Sequence, residues 1–244
     1  MAGFYGEDLA YIHDVGHADF ALRSAPGILA ILRDNGIPDR LVVDLGCGSG
    51  LWARELLRAG CGVLGIDISA AMVEIARQKA PGAEFRVGSL FEVPIPPCDA
   101  VTAVGEVLNY LFDPENEKRG LEGVFGRVYG ALRPGGVFVF DVLGPGQVPP
   151  GTTARGCRVG EDWAVFSERE EDAGRGTMER RIISFRKVGE HYRREVEVHR
   201  VRLYEPYEVA DGLDRAGFEV LRTMDPYGGH PLGENHAAFV ARRP

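Results

Sequence analysis

A short apolar segment of the chain runs directly into a loop that carries three alternating glycines. The segment spans Leu41 to Leu45, and Gly46, Gly48 and Gly50 follow it. A continuous apolar run bounded by turn residues predicts a strand buried on both faces, as in a parallel sheet. Glycines at a strand-to-helix turn let backbone N–H groups approach a nucleotide-like ligand, because no Cβ stands in the way. This feature therefore predicts an α/β fold with a ligand site at the end of its first strand.

The alternation of strand and helix patterns continues as far as residue 143. Apolar segments typical of strands recur at residues 63–66, 85–87, 100–104 and 137–143, and segments with helical apolar spacing lie between them. Strands and helices that alternate at these lengths indicate βαβ units and a doubly wound, Rossmann-like parallel sheet. An earlier helical pattern covers residues 8–36 and ends at a stop signal. We expect this segment to form an N-terminal helical cover.

The composition and the apolar periodicity of the sequence change after Pro145. Gly and Pro concentrate at residues 144–151, and period-2 alternation replaces helical spacing at residues 162–204. Glycine-containing breaks divide this alternating part into three runs, which predicts a three-stranded antiparallel insertion over residues 152–204. This length is well above that of an ordinary connection. Residues 206–244 then have the pattern of a final helix and two strands.

Charge and composition restrict the class of partner. The chain has 244 residues and a formal net charge of −8, which argues against a broad, non-specific grip on nucleic acid or an anionic membrane. Its apolar runs are far shorter than the ~20 residues that a membrane span needs, and the N-terminus does not resemble a signal peptide. The four cysteines are scattered, as reduced thiols are. We therefore expect a cytoplasmic protein that binds neither nucleic acid nor membrane.

An acidic residue stands at the end of the second predicted strand. Asp67 follows the glycine loop at about the 20-residue spacing at which a carboxylate accepts hydrogen bonds from ribose hydroxyls. The alternative is a tight turn with an ordinary helix-capping aspartate. The dinucleotide fingerprint Gly-x-Gly-x-x-Gly requires a small residue where this chain has Leu51, which disfavours a nicotinamide-dependent oxidoreductase.

Residues 42–50 match in full the pattern hydrophobic-x-Asp-x-Gly-x-Gly-x-Gly. This stretch resembles motif I of the class I S-adenosylmethionine-dependent methyltransferases. Residues 98–105 resemble the fourth strand of that family, and residues 132–136 resemble its turn before strand five. The resemblance implies a seven-stranded sheet that is mostly parallel, with the last strand antiparallel. It also implies an enzyme that uses S-adenosyl-L-methionine as its cofactor.

The resemblance further implies which residues contact the cofactor. The glycine loop would face the methionyl part, Asp67 the ribose and Ile68 the adenine. Ser89 departs from the pattern, because the family usually has an aspartate near the adenine edge. The full set that the resemblance implies is Asp44, Gly46, Cys47, Gly48, Asp67, Ile68, Ser89, Leu90 and Gly105.

Side chains that bind the methyl acceptor must lie at the carboxyl ends of the strands, beside the glycine loop. For each candidate, the alternative is a packing or surface role. His13 and His17 are four residues apart, but no carboxylate or cysteine cluster completes a metal site, so we expect no metal. The candidates come from the helical cover, the segment after strand four and the end of the insertion, and they are Tyr11, His13, Glu106, Asn109, Tyr110, His199 and Tyr204.

We therefore expect one methyltransferase domain over residues 1–244, with a cofactor-binding core at 41–143 and the insertion at 152–204 acting as a lid. A lid over a closed pocket favours transfer to a small-molecule acceptor. The alternatives are an RNA or protein methyltransferase, and a protein that binds S-adenosylmethionine without catalysis. Monomer and homodimer are both open. The arginines of the insertion are interleaved with glutamates, which predicts a solvated, cross-paired sheet face.

Overall fold

The computed structural model describes residues 4–37, 39–224, 227 and 233–244. Within these residues a seven-stranded central sheet is formed. Its strands, in chain order, are β1 (Leu41–Leu45), β2 (Gly62–Asp67), β3 (Glu84–Val87), β4 (Cys98–Ala103), β5 (Leu132–Leu143), β10 (Glu219–Met224) and β11 (His236–Arg242).

The order of strands across this sheet is β10-β11-β5-β4-β1-β2-β3. Strands β1 to β5 are parallel to one another, and β11 is antiparallel to both β5 and β10. The order reverses between β1 and β4, and ligands of open α/β sheets bind at such switch points. The predicted sheet, mostly parallel with its last strand antiparallel, is confirmed.

Helices cover both faces of the central sheet, as the side chains of β5 illustrate. Val137 and Val139 are fully buried with residues of α2 and α3, whereas Phe138 and Phe140 are fully buried with residues of α5 and α6. Burial on both faces explains why the strand segments are continuous apolar runs rather than alternating ones. The helices are α1 (Glu7–Gly16), α2 (Ala18–Asp34), α3 (Leu51–Arg58), α4 (Ala70–Lys79), α5 (Pro114–Ala131) and α6 (Pro206–Arg215).

The N-terminal cover consists of two helices, α1 and α2. They are separated at His17, whose φ of −128° and ψ of 19° lie outside the helical region. The apolar spacing continues across this break, so the sequence pattern does not reveal it. No described helix is long and apolar enough to cross a membrane.

The insertion forms a second, separate antiparallel sheet in the order β6-β7-β8-β9. The prediction of three strands is wrong, because an additional edge strand precedes the three alternating runs. All but the first of its residues are exposed, so it lacks the apolar alternation by which strands are recognised. The four strands are β6 (Ala154–Val159), β7 (Trp163–Asp172), β8 (Thr177–Val188) and β9 (His191–Arg202).

The inner face of this second sheet packs against α1. Trp163 and Val165 of β7 form a buried cluster with Leu9 and Ile12. The ring of Trp163 lies so close to Gly16 that a Cβ at that position would be 2.6 Å from Trp163 Cη2. Apolar burial therefore joins the insertion to the N-terminal helices, and the two together stand over the carboxyl ends of the central strands.

Asn109 connects the insertion to the central sheet. It is fully buried, and its amide donates hydrogen bonds to the carbonyls of Leu143 (2.9 Å) and Arg202 (2.6 Å). Its Oδ1 accepts a hydrogen bond from the Leu143 N–H at 3.0 Å. Because the side chain is committed to these backbone groups, the prediction that Asn109 lies in an acceptor pocket is wrong.

We expect Asn109→Ala to destabilise the fold by about 2–4 kcal/mol, because it leaves the Leu143 N–H and the Arg202 carbonyl buried without these partners. Urea unfolding monitored by circular dichroism measures the change. The control is Gln78→Ala on the exposed surface of α4, for which a change within about 0.5 kcal/mol is expected. Equal stability of the two variants would contradict the structural role of Asn109.

Candidate active site

A cavity of about 210 Å³ opens at the carboxyl ends of the central strands. Its wall is formed by the glycine loop after β1, by the ends of β2 and β3 and by the segment after β4. The structure thus brings together residues that lie far apart in the sequence. All nine residues that the family resemblance implies for the cofactor line this cavity, namely Asp44, Gly46, Cys47, Gly48, Asp67, Ile68, Ser89, Leu90 and Gly105.

The glycine loop needs glycine for two different reasons. Gly46 has a φ of +66°, and a Cβ there would lie 2.5 Å from Cγ1 of Val107, so a side chain would be both strained and obstructed. Gly48 has a φ of +51°, yet a Cβ at this position would meet no atom within 4 Å. Its backbone therefore borders open space in the cavity wall, where a ligand can approach closely.

Asp67 fixes the loop to the end of β2. Its carboxylate accepts hydrogen bonds from the Gly48 N–H and from the Ser69 N–H, both at 2.8 Å. Burial raises the pKa of Asp67, and these two donors act in the opposite direction. Ser69 Oγ in turn caps α4 by accepting the Met72 N–H at 3.2 Å, and it donates to the Tyr5 carbonyl at 2.8 Å.

Asp44, at the end of β1, is a buried carboxyl that accepts a hydrogen bond from a side-chain hydroxyl. Thr102 Oγ1 donates to it at 2.8 Å, and Trp52 Nε1 donates to Thr102 at 3.1 Å. Burial raises the pKa of Asp44 to about 7, against the opposing effect of the Thr102 hydrogen bond. The group therefore changes its charge near neutral pH. Trp52, on α3, also lines the cavity.

Ser89 occupies the place where the family usually has an aspartate. Its Oγ accepts the Phe91 N–H at 3.0 Å and donates to Oδ2 of Asp113. Asp113 lies after β4 and lines the same cavity. A carboxylate therefore stands beside this edge of the cavity after all, although a distant segment of the chain supplies it.

Asp141 holds the segment after β4 in place. It is fully buried on β5 and accepts hydrogen bonds from the Gly105 N–H (2.8 Å), the Glu106 N–H (2.6 Å) and the Tyr227 hydroxyl (3.0 Å). Burial raises its pKa, and the three donors oppose that effect. Glu106 has a φ of +62°, in the left-handed region that residues other than glycine rarely adopt. Such strain is often found at functional sites.

A second cavity, of about 740 Å³, lies between the N-terminal helices and the inner face of the four-stranded sheet. It meets the first cavity along a shared boundary. The residues that line both cavities, called the seam below, are Tyr5, His13, His17, Phe20, Gly105 and Tyr110.

The surroundings of the seam keep its ionisable groups uncharged at neutral pH. The hydroxyls of Tyr5 and Tyr110 are hydrogen-bonded at 3.0 Å, and burial raises the pKa of both phenols. Burial, together with the charge of His17, lowers the pKa of His13 to about 4. The seam therefore offers neutral phenols and a neutral imidazole.

Among the described residues, no group of three or more His, Cys, Asp or Glu side chains is arranged to hold a metal ion.

Glu106 faces the second cavity between two basic side chains. Arg180 Nη2 lies 2.7 Å from Oε2, and His236 Nε2 lies 3.2 Å from Oε1. Although burial acts to raise the pKa of Glu106, the His236 hydrogen bond and the Arg180 charge lower it overall. Arg180 is therefore not part of the solvated face that the sequence predicts for the insertion arginines. That prediction fits Arg181, which pairs with Glu168 at 3.2 Å on the exposed face.

The insertion also holds the N-terminal segment in place through Glu197. Its carboxylate accepts the Tyr5 N–H at 2.8 Å and the Gly6 N–H at 2.9 Å. His199 Nε2 lies 2.8 Å from Glu197 Oε2. His199 is fully buried among aromatic rings and borders the second cavity.

The structure separates the predicted acceptor-site residues into two groups. His13, Glu106, Tyr110 and His199 border the second cavity. Three others lie outside both cavities, which corrects the predictions for them. Asn109 binds backbone groups as described, Tyr11 donates to Asp162 at 3.0 Å beneath the Arg186 guanidinium, and Tyr204 is buried in the main core.

Several cavity residues are absent from the predicted set. Arg180 carries a sequence signal, because it alternates with Met178 and Ile182 on the inner face of β8. Tyr5 and His236 carry none, since only tertiary contacts bring the N-terminus and β11 to this place. Cavity residues outside the predicted set include Tyr5, Phe20, Asp113, Arg158, Arg180 and His236.

Residues 42–136 match the family model described as a methyltransferase domain. A protein of Geobacillus sp. (strain WCH70) with a provisional methyltransferase name is 30% identical over 220 residues, or 83% of this chain and 84% of that protein. A solved S-adenosylmethionine-dependent methyltransferase from Clostridium acetobutylicum ATCC 824 is 20% identical, with a TM-score of 0.81 over 96% of each chain. The sugar N-methyltransferase KedS8 from Streptoalloteichus sp. ATCC 53650 is also 20% identical, with a TM-score of 0.76 over 100% of this chain and 97% of that one.

The two solved structures share the fold of this chain over nearly its whole length. The Geobacillus relative extends the similarity in sequence over most of both chains. The matched family model begins in β1 and ends at the start of β5, so it contains the glycine loop and Asp67. The chain therefore belongs to the class I S-adenosylmethionine-dependent methyltransferases.

Proposed function

We propose that this enzyme moves the methyl group of S-adenosylmethionine to a small-molecule acceptor, within a single domain of residues 1–244. The cofactor occupies the first cavity and the acceptor the second. The observation that carries the proposal is the seam, where the two cavities meet. Methyl transfer depends mainly on holding acceptor, methyl and sulfur in line, and adjoining cavities supply that alignment.

The lining of the first cavity fits the cofactor. The open backbone at Gly48 suits the methionyl part, and the partly buried Asp67 carboxylate suits a ribose. Ile68 and Leu90 offer apolar surface to an adenine, with Ser89 and Asp113 at its polar edge. These groups belong to the core of residues 41–143.

When bound, the cofactor supplies an electrophilic methyl group on a sulfonium that is already a good leaving group. The chain has to position the acceptor, exclude water and receive a proton where the acceptor atom carries one. At the seam, the neutral His13 imidazole is able to accept that proton, whereas the Tyr5 and Tyr110 phenols are donors. Glu106 is held between Arg180 and His236 at the edge of the second cavity.

A small acceptor is favoured because two separate parts of the chain form opposite walls of the second cavity. The helical cover of residues 8–36 forms one wall, and the lid of residues 152–204 forms another. The similar structure of KedS8 is that of a sugar N-methyltransferase, which is consistent with a compact acceptor. An RNA or protein methyltransferase would instead need an open, basic channel, which suits poorly a chain with a net charge of −8.

The cysteines support a cytoplasmic location. Cys47, Cys61 and Cys98 are buried free thiols, and Cys157 is an exposed free thiol. Thiols persist in reducing compartments, whereas secreted domains commonly form disulfides. Light scattering after size-exclusion chromatography distinguishes a monomer from a homodimer.

The proposal is tested by methyl transfer from radiolabelled S-adenosylmethionine to three separate pools: small metabolites, total RNA and total protein. We expect label in the small-metabolite pool, because the helical cover and the inserted sheet wall the second cavity and the chain is acidic. Label in RNA or protein would replace the proposal with that alternative. A titration with S-adenosylhomocysteine accompanies the assay, and binding without transfer to any pool would favour a non-catalytic role.

We expect Asp67→Ala to weaken S-adenosylhomocysteine binding by about 1–3 kcal/mol, through the loss of hydrogen bonds to the ribose. Isothermal titration calorimetry measures the affinity. Asp67→Asn retains the shape and some of the contacts, so its loss should be smaller. The control is Asp211→Ala on the exposed surface of α6, with unchanged affinity. Wild-type affinity in Asp67→Ala would remove this residue from the binding site.

We expect the affinity for S-adenosylhomocysteine to rise with pH through about 7. The pKa of Asp44 is raised to about 7, so its carboxyl is neutral below this pH and negative above it. Only the negative form attracts the ammonium of the methionyl group, and we expect a change of roughly tenfold. Calorimetry at several pH values should show a flat profile for Asp44→Asn, which stays neutral throughout. A pH dependence as steep as that of the wild type would exclude Asp44 as its source.

A further inference from the structure

Arginine side chains outnumber carboxylates around the second cavity. Arginines at positions 23, 158 and 180 border it, against the carboxylates of Asp19 and Glu106. The chain as a whole has a net charge of −8, so an excess of cationic side chains here departs from the protein's average. A charged side chain of this lining that has no partner indicates which kind of acceptor the cavity would attract.

Both carboxylates of this lining already face basic groups. Glu106 contacts Arg180 at 2.7 Å and His236 at 3.2 Å, one with each oxygen. Asp19 lies 3.8 Å from Arg23 on the surface of α2. Among the described lining residues, a positively charged acceptor would therefore find no carboxylate that is not already paired.

Arg158 is different, because the described part of the chain contains no hydrogen-bond or ion-pair partner for its guanidinium. It lies on β6, three residues after Arg155, and the alternation of the strand places these two side chains on opposite faces. Arg155 faces outward and pairs with Glu168 at 3.1 Å. Arg158 borders the second cavity. Burial and then the charge of Arg158 lower the pKa of His17, which is consistent with a position close to the seam.

Buried nitrogens without partners are a second, independent feature of the same lining. Arg180 Nε, His199 Nδ1 and His236 Nδ1 are shielded from solvent and have no hydrogen-bond partner among the described residues. An arginine Nε–H can only donate, and a buried donor without an acceptor costs about 1–3 kcal/mol. An oxygen atom of a ligand would provide the acceptor that Arg180 Nε lacks.

We propose that the methyl acceptor carries an anionic group, a carboxylate or a phosphate, that Arg158 binds in the outer part of the second cavity. The rest of the acceptor then extends towards the seam, where the atom to be methylated meets the first cavity. This inference rests on the proposed function, because it takes the second cavity as the acceptor site. It assigns to Arg158 the selection of the acceptor's charge and not the transfer step.

The test uses the full-length protein saturated with S-adenosylhomocysteine, so that the first cavity is filled. Pyrophosphate and succinate are titrated separately by calorimetry, as probes for a phosphate and a carboxylate. We expect saturable binding of at least one of them, weakened about tenfold or more in Arg158→Gln, since charge-assisted hydrogen bonds are lost. The stronger of the two probes identifies the class of anion.

The matched control is Arg155→Gln on the opposite face of the same strand, which should bind the probe as the wild type does. Arg158→Lys keeps the charge and should retain more affinity than Arg158→Gln, and thermal unfolding verifies that each variant is folded. Equal binding by Arg158→Gln and Arg155→Gln would overturn the assignment, as would the failure of both anions to bind. In those cases intact S-adenosylhomocysteine binding leaves the proposed function standing, whereas loss of that binding in the wild type overturns both.

Discussion

The carboxylate of Asp67 is the contact through which the first cavity acquires its shape. One oxygen accepts the Gly48 N–H and the other the Ser69 N–H, so the glycine loop and the start of α4 are fixed to the same strand end. Ser69 Oγ in turn donates a hydrogen bond to the Tyr5 carbonyl, and Glu197 of the inserted sheet accepts one from the Tyr5 N–H. These four short contacts therefore connect β2 with the glycine loop, with the N-terminal segment and, through Tyr5, with the inserted sheet.

Asp141 has a comparable place on the other side of the seam. A carboxylate that is fully buried is costly unless donors surround it, and here two backbone N–H groups and the Tyr227 hydroxyl do so. These contacts hold Glu106 in a left-handed conformation, which costs roughly 1–2 kcal/mol for a residue with a side chain. The strained backbone directs the Glu106 carboxylate towards Arg180 and His236. The central sheet thus determines the polar edge of the second cavity.

The sequence predicts well what depends on local pattern and poorly what depends on tertiary contacts. The glycine loop, Asp67 and the strand–helix alternation carry their own signals, and the sheet follows from them. The sequence does not predict strand β6, because an exposed edge strand has no apolar alternation. Asn109 looks like a pocket residue until its backbone partners in β5 and β9 are known. Tyr5 and His236 join the cavity lining only because distant segments fold together, so no spacing in the sequence marks them.

Tyr5 borders both cavities, and its backbone is tied to the start of α4 by Ser69 and to the inserted sheet by Glu197. A ligand that changes the conformational freedom of this residue in one cavity therefore alters the binding free energy in the other. Such coupling is reciprocal, so each ligand affects the other by the same factor. The first ligand to bind bears the entropy of ordering the segment, and the second finds it already ordered. Cooperativity between the ligands of the two cavities thus has a physical route through a single residue near the N-terminus.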